Sequence, residues 1–119
     1  MQKYKMISIK IDNYVSLHQG VTTKEGEGIN KEIIAAFNQN EKIELDFKDI
    51  KLTTTAFLNE AIGVLYKDYT SEELKKRLSF KNISQETAIR IKKVTNNAKL
   101  FYKNQDTFNE MVEDALYGN

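Results

Sequence analysis

The stretch from residue 43 to residue 66, IELDFKDIKLTTTAFLNEAIGVLY, is the feature that most constrains the fold of this chain. Its first residues alternate apolar and acidic side chains, which is the period of a strand with one buried face. Three consecutive threonines follow, and after them apolar residues recur at the spacing of an amphipathic helix. The segment therefore predicts a buried strand, a short polar loop and a helix whose start carries hydroxyl groups.

Length and composition predict one compact domain over residues 1–119. The chain is 40% hydrophobic and 29% charged, a balance that supports a single core. It has no cysteine and one histidine, His18, so we expect no disulfide, no metal site and no cofactor. No stretch has the length and apolar character of a membrane span or the signature of a cleavable leader, so we expect a cytoplasmic protein.

The first third of the chain predicts a hairpin followed by a helix. Isoleucines alternate with polar residues over residues 7–11, and the Asp12-Asn13 turn leads to a second apolar run at 14–17. The stretch from 20 to 28 is polar and contains glycines, and its segment 22–28 predicts a mobile loop. Helical spacing of apolar residues then predicts a first helix that ends near residues 38–40.

The second half of the chain contains two helix-start signals. Thr70 and Glu73 have the spacing of a capping box, in which each side chain satisfies a backbone donor of the other residue. A short helix should therefore start at Thr70 and end near Arg77, and a third strand follows at 78–80. Ser84 then caps another helix.

The C-terminal part predicts a break and a closing helix. Asn96 and Asn97 should end the preceding helix, and a short strand at 100–102 is favoured over continuation of that helix. Apolar residues at 108–116 follow a clear helical period. Strands alternating with helices imply a small α/β domain, with a mixed sheet of about four strands and helices packed against it.

The order of these segments resembles the STAS fold, the domain of anti-sigma factor antagonists and of sulfate transporter tails. It is more similar to the STAS-like relatives of unknown function. The resemblance covers most of the chain and implies a bacterial regulatory domain. It rests on the LDF strand, the hydroxyl-rich loop, the FLNEAIGVLY helix, the RLSFKNIS strand-to-helix step and the closing DTFNEMVEDAL helix.

In the anti-sigma factor antagonists, the loop motif reads Asp-Ser-Ser-Gly-Leu, and a partner kinase phosphorylates the first serine. Aligning Leu58 on the motif's leucine places Thr55 at that serine. Thr54, Ala56 and Phe57 then stand at the aspartate, the second serine and the glycine, so these three positions depart from the motif. The resemblance implies a kinase-like ATPase as the type of partner.

These features suggest a non-catalytic regulatory module that binds a protein partner through the threonine loop and the helix after it. A phosphate or bound anion at Thr55 would lie against the amides of the helix start and repel an acidic partner. Thr53 and Thr54 are the neighbouring switch candidates, and a simple helix N-cap is the alternative role for Thr55. The predicted partner-binding residues are Phe57, Asn59, Glu60 and Gly63.

A second hypothesis is a nucleic-acid accessory protein that uses the segment from 75 to 103. Between residues 74 and 103, nine lysines and arginines stand against Glu86 alone, a local charge of +8. Lys76, Arg90 and Lys93 represent this basic surface, and the last two share a helix face. The net charge of the whole chain is only +1, so we expect a solvated helix face here and no nucleic-acid partner.

Two further possibilities concern small molecules and catalysis. The segment 22–28, TTKEGEG, would suit a small-ligand or nucleotide sensor, but it lacks the Gly-Lys-Ser/Thr ending of a Walker loop. His18 could act as a base oriented by Asp46 or Asp49 toward Thr55, but no nucleophile-elbow sequence surrounds that threonine. The sequence therefore predicts no enzyme.

Overall fold

The computed structural model of the chain describes the backbone of residues 4–117 and the side chains of residues 4–103. Strands and helices alternate along it, with short 3₁₀ helices at Ile11–Tyr14 and Gly63–Lys67. In chain order the other elements are β1 (Lys5–Lys10), β2 (Gln19–Gly20), α1 (Thr23–Asn38), β3 (Glu41–Asp46), β4 (Leu52–Thr53), α2 (Thr55–Ala61), α3 (Ser71–Arg77), β5 (Leu78–Lys81) and α4 (Gln85–Tyr117).

The main sheet has three parallel strands in the order β1-β3-β5. Strand β3 is central, and its alternating residues Ile43 and Leu45 are fully buried. Ile9 of β1 pairs with Leu45, which in turn pairs with Phe80 of β5. The alternation that identified β3 in the sequence therefore marks the face that the helices cover, and the prediction of this strand is confirmed.

Strands β2 and β4 form a separate two-stranded parallel sheet, in which Gly20 lies opposite Thr53. The predicted mixed sheet of about four strands is therefore wrong: the described strands form a parallel sheet of three and a parallel pair. The predicted opening hairpin is wrong as well, because the chain after β1 enters a 3₁₀ helix that buries Ile11. Alternation in a sequence identifies a strand, but it does not specify the strand with which it pairs.

Helix α1 starts within the stretch that the sequence suggested was a mobile loop. Thr22 and Glu25 form a complete capping box at its start. The segment 22–28 therefore consists of the N-cap residue and the first two turns of α1. Gly26 is buried in this segment because α1 crosses close to α2. A Cβ at Gly26 would lie 2.5 Å from the carbonyl oxygen of Phe57, so the glycine permits a close approach between helices.

Helix α4 is continuous from Gln85 to Tyr117. Its predicted start is confirmed, since the hydroxyl oxygen of Ser84 accepts a hydrogen bond from the amide of Thr87 at 3.1 Å. The predicted break at residues 96–97 and the predicted strand at 100–102 are both wrong. The two asparagines are exposed and helical, and local stop signals do not end a helix whose buried side continues past them.

The predicted start and end of the short helix α3 are confirmed. The hydroxyl oxygen of Thr70 accepts from the amide of Glu73 at 3.1 Å, and the helix ends at Arg77. The apolar run at 108–116 lies within the α4 backbone, but its side chains lie outside the described residues.

The core lies where α1, α2 and α4 pack with the main sheet. Its members come from every one of these elements, so the start of α2 is held from several sides at once. The largest fully buried apolar side chains are Ile11, Ile29, Ile33, Ile43, Leu45, Phe57, Leu58, Ile62, Leu65 and Val94.

Candidate functional site: the threonine loop

Three consecutive threonines join β4 to α2, and the structure gives each a different environment. Thr53 is 1% exposed. Its hydroxyl oxygen lies 3.3 Å from that of Thr87, so it links β4 to the first turns of α4. A kinase could reach Thr53 only if this part of the domain opened. Its hydroxyl is therefore structural.

Thr54 is the N-cap of α2. Its hydroxyl oxygen accepts from the amide of Phe57 at 3.1 Å and donates to the carbonyl of Val21 at 2.7 Å. Its own amide donates to the carbonyl of Gly20 at 2.9 Å. The N-cap role considered for Thr55 thus belongs to its neighbour, and the single hydroxyl hydrogen of Thr54 is already used.

Thr55 is the first residue of α2, and its side chain is exposed. Of the three switch candidates it is the most exposed, since Thr53 is buried and Thr54 is half-buried. Its position next to the cap fixes its backbone, because the bonds of Thr54 hold the helix start to Gly20 of β2 and to Val21, the residue after β2. Thr55 is therefore an accessible hydroxyl on a rigid support.

The predicted partner-binding residues divide into two groups. Phe57 is fully buried, with its ring against Gly20, and Gly63 is buried beside Val94. Both are therefore part of the interior and were wrongly assigned to a surface. Asn59 is exposed and Glu60 is half-buried, so these two residues remain accessible on α2.

Exposed apolar residues that were missed in the sequence lie in the loop before β2, just after β2 and in β4, which are the segments that lead to the threonine loop or contact it. Leu17 is 82% exposed, and both Leu17 and His18 have left-handed backbone angles at the tip of the loop before β2. Val21 and Leu52 are also exposed. The signal in the sequence was weak: single apolar residues within polar loops. We call Leu17, Val21, Leu52 and Thr55 the threonine-loop surface.

Glu25 holds this surface in place. Its carboxylate accepts from the amide of Ser16 at 2.8 Å and from the hydroxyl of Thr22 at 2.8 Å, which joins the loop before β2 to the start of α1. Burial alone would raise the pKa of Glu25, but the hydrogen bonds from Thr22 and Ser16 outweigh it and hold the pKa below its ordinary value. The ionised carboxylate is the form that organises the loop.

The histidine arrangement considered from the sequence is not formed. The Nδ1 of His18 lies 2.8 Å from Asp12. Asp46 instead accepts from the side chain of Asn82 at 2.8 Å and the amide of Lys48 at 3.0 Å, and these bonds hold its pKa below its ordinary value. Among the described side chains, no three His, Cys, Asp or Glu residues are grouped closely enough to hold a metal ion.

The basic surface is smaller than the charge count suggests. Lys76 and Lys93 are exposed, but Arg90 is paired with Glu86 one turn away at 2.7 Å. Arg77 is structural, because its guanidinium donates to the carbonyls of Phe37 and Glu41, at 2.8 Å and 3.0 Å. At least two of the nine basic groups therefore serve the fold.

A second concave region lies between α2 and α4, and we call it the α2–α4 groove. Its volume is about 320 Å³, and Asn59, Val64, Asn97 and Phe101 line it. Tyr102 also borders the groove, where burial, followed by the charges of Glu60 and Asp68, raises its pKa above the ordinary value. The groove is open, and the exposed ring of Phe101 forms one of its walls.

The fold and this site define a small α/β domain of parallel strands whose accessible threonine stands at a capped helix start. Residues 25–88 match the family described as a STAS-like domain of unknown function (DUF4325). The match covers more than half of the chain, so the protein belongs to this STAS-like family, and the resemblance read from the sequence is confirmed. No curated protein and no solved structure matches the chain.

A helix that crosses a membrane must be both long and apolar. Within the part of the chain that the structure describes, none is both long enough and apolar enough to span a bilayer.

Proposed function

We propose that this STAS-like domain is a non-catalytic regulatory module that binds a protein partner through the threonine-loop surface and is released by phosphorylation of Thr55. One observation carries the proposal: Thr55 is the exposed member of the three threonines, and Val21 and Leu52, which lie in or next to the β2–β4 pair that leads into its loop, are also exposed. A kinase-like ATPase, the partner type implied by resemblance to anti-sigma factor antagonists, would supply the phosphate.

The apolar residues provide the binding energy in this proposal. Leu17 is mostly exposed, and complete burial of a leucine side chain stabilises a contact by about 1.5–3 kcal/mol. Val21 and Leu52 add smaller areas, since each is already partly covered. A partner would therefore gain most from Leu17, at the tip of the loop.

The phosphate provides the release. A phosphothreonine carries about −1.5 to −2 charges near pH 7, and burial of that charge against an apolar partner surface is unfavourable. Repulsion by an acidic partner would add to this cost. The rigid cap at Thr54 means that the phosphate cannot move far from the surface it disrupts.

The test is affinity capture from cells of the host with five forms of the chain. Thr55→Glu mimics the phosphate, and Leu17→Asp removes the main apolar contact. Thr55→Val removes the hydroxyl without adding charge, and Ile89→Asp is a matched control because Ile89 is an apolar side chain, 63% exposed, on α4. We expect a partner that the wild type, Thr55→Val and Ile89→Asp retain and that Thr55→Glu and Leu17→Asp lose. The same captured proteins for all five forms would overturn the proposal.

The nucleic-acid hypothesis draws less support from the structure, because Arg77 and Arg90 are already engaged. It still predicts binding that weakens steeply with salt. The ligand-sensor hypothesis also draws less support, because the segment 22–28 forms the start of α1. Ligand-dependent thermal stabilisation would revive it.

A further inference from the structure

A concave region lies where the chain leaves the 3₁₀ helix at Gly63–Lys67 and enters α3, opposite the middle of α4. Its volume is about 400 Å³, at the lower end of the range of about 300–1,000 Å³ that small-molecule sites occupy. Tyr66, Tyr69 and Tyr102 line it, and we call it the tyrosine cavity. It shares no residue with the threonine-loop surface.

Two of the three rings pack against a second aromatic ring, which fixes how they face the cavity. The ring of Tyr69 packs edge-on against that of Phe37, with the centroids 5.1 Å apart. The ring of Tyr102 packs edge-on against that of Phe101, with the centroids 4.9 Å apart. Rings held in this way suit a flat ring of a ligand, because offset and edge-on pairs of aromatic rings are favourable.

The phenol groups of the cavity keep their protons at neutral pH. Burial raises the pKa of Tyr66, and a hydrogen bond with Thr95 offsets part of that rise. Burial also raises the pKa of Tyr102, and the charges of Glu60 and Asp68 add to it. A protonated phenol donates a hydrogen bond and carries no charge that would repel an anion. Two titratable groups with a shifted pKa in one cavity are typical of a binding site.

Lysines supply the charge of the cavity. Lys67, Lys99 and Lys103 line it against one carboxylate, that of Asp68. The ammonium group of Lys99 lies over the ring of Tyr66, 5.8 Å from the ring centroid, and this contact keeps the positive charge beside the cavity. Positive charge next to protonated phenols favours an anionic ligand.

We propose that the tyrosine cavity binds a free nucleoside monophosphate, with the base packed against the tyrosine rings and the phosphate held by Lys67 and Lys99. The two parts of such a ligand match the two kinds of wall, since the tyrosines offer rings and the lysines offer charge. Thr70 and Ser71 also line the cavity, and their hydroxyl groups are partners of the kind that a ribose requires.

The size of the cavity favours a single nucleotide over a nucleic-acid strand. Its volume of about 400 Å³ is that of a small-molecule site, whereas a strand requires a basic groove that follows several phosphates. The inference goes beyond the proposed function, because it concerns another surface and another kind of ligand. Its failure would leave the threonine-loop surface untouched.

The first experiment titrates the full chain with the four ribonucleoside monophosphates, their nucleosides and ribose 5-phosphate, and measures binding by calorimetry. The nucleosides lack the phosphate, and ribose 5-phosphate lacks the base. We expect at least one nucleotide to bind about ten-fold more tightly than its nucleoside and than ribose 5-phosphate. No saturable binding of any nucleotide, or binding no tighter than that of ribose 5-phosphate, would overturn the proposal.

The second experiment uses variants to assign the binding to the cavity. Lys99→Gln removes a charge, so it should weaken the nucleotide about five-fold or more and leave the nucleoside unchanged. Tyr102→Leu removes a ring and should weaken both. Lys93→Gln is the matched control, because Lys93 is an exposed lysine of α4 outside the cavity. Melting curves without ligand check that each variant is folded. Wild-type nucleotide affinity in Lys99→Gln and Tyr102→Leu alike would overturn the proposal.

The third experiment replaces the nucleotide by a strand that carries the same chemistry. We expect a single-stranded oligonucleotide of about twelve residues, a length within the footprint of strand-binding domains, to bind no more tightly than the mononucleotide. Tighter binding of the oligonucleotide, with an affinity that falls steeply as salt is added, would assign the lysines to nucleic acid and overturn the proposal.

Discussion

The two sides of α2 differ in how closely they pack. On the side that faces α1 and β2, a Cβ at Gly26 of α1 would lie 2.5 Å from a backbone oxygen, and one at Gly20 of β2 would lie 2.7 Å from the ring of Phe57. On the α4 side, a Cβ at Gly63, just after α2, would lie 3.3 Å from a methyl carbon of Val94 and 3.8 Å from the Cβ of Ala98. The α1 side is a rigid joint that positions the threonine loop, whereas the α4 side leaves an open groove.

Alanine at Gly26 should produce the largest effect. The added methyl group meets backbone atoms that cannot rotate away, so we expect the free energy of unfolding to fall by about 2–3 kcal/mol. Urea denaturation of Gly26→Ala measures this directly. Gly28→Ala is the matched control in the same helix: nothing lies within 4 Å of its Cβ, so alanine should stabilise by up to about 1 kcal/mol. Equal stability of the two variants would show that the joint is not tight.

Removal of the Thr54 hydroxyl tests the same joint through hydrogen bonds. Thr54→Val loses the cap of α2 and the bond to Val21, which together should lower the free energy of unfolding by about 1–2 kcal/mol. Thr55→Val, one residue later and exposed, should change it by less than about 0.5 kcal/mol. If Thr55→Val were the more damaging of the two, the assignment of cap and switch residue would be reversed.

Glu25 should make the stability of the domain depend on pH. Its pKa is lower in the folded chain than in the unfolded chain, so its contribution is complete above the unfolded pKa and is lost as the pH falls through the folded pKa. Glu25→Ala should destabilise by about 1 kcal/mol at pH 7, from its lost hydrogen bonds. Unfolding measured at pH 7 and near pH 3 should show this difference shrinking in acid. A difference that stayed constant would contradict a role for the ionised carboxylate.

Alanine at Gly63 should have the smallest effect, which sharpens the contrast between the two sides. The nearest atoms are the amide oxygen of exposed Asn59, which can rotate away, and a methyl carbon of buried Val94 at 3.3 Å, which must shift by a few tenths of an ångström. We therefore expect a loss of less than about 1 kcal/mol in the same urea experiment. A loss as large as that of Gly26→Ala would mean that the groove side is as tightly packed as the joint.

The sequence predicted those features of the fold that depend on local period and local caps. Strand β3, the apolar stripe of α2 and the caps at Thr70 and Ser84 are of this kind. It failed where distant contacts decide the structure. The glycines at 26 and 28 suggested a loop. Gly26 is instead required by the close approach of α2, and that approach cannot be predicted from the residues next to Gly26 in the sequence.

The same dependence on distant contacts explains which residues of the site could be predicted from the sequence. The three threonines were identified as a group, but their exposure depends on Val21 and Thr87, more than 30 residues away in each direction. Leu17 was missed because a single exposed leucine in a loop has no periodic pattern. The continuity of α4 was also missed, since Asn96 and Asn97 resemble a helix end, whereas Ala98 continues the buried face.

The central claim is that two of the three threonines are structural and that Thr55 alone is a switch. Phosphopeptide mapping of the protein purified from its own host, over several growth conditions, tests this most directly. The account predicts phosphate on Thr55 and none on Thr53 or Thr54. Phosphate on either of the other two, or on none of the three under any condition, would contradict it.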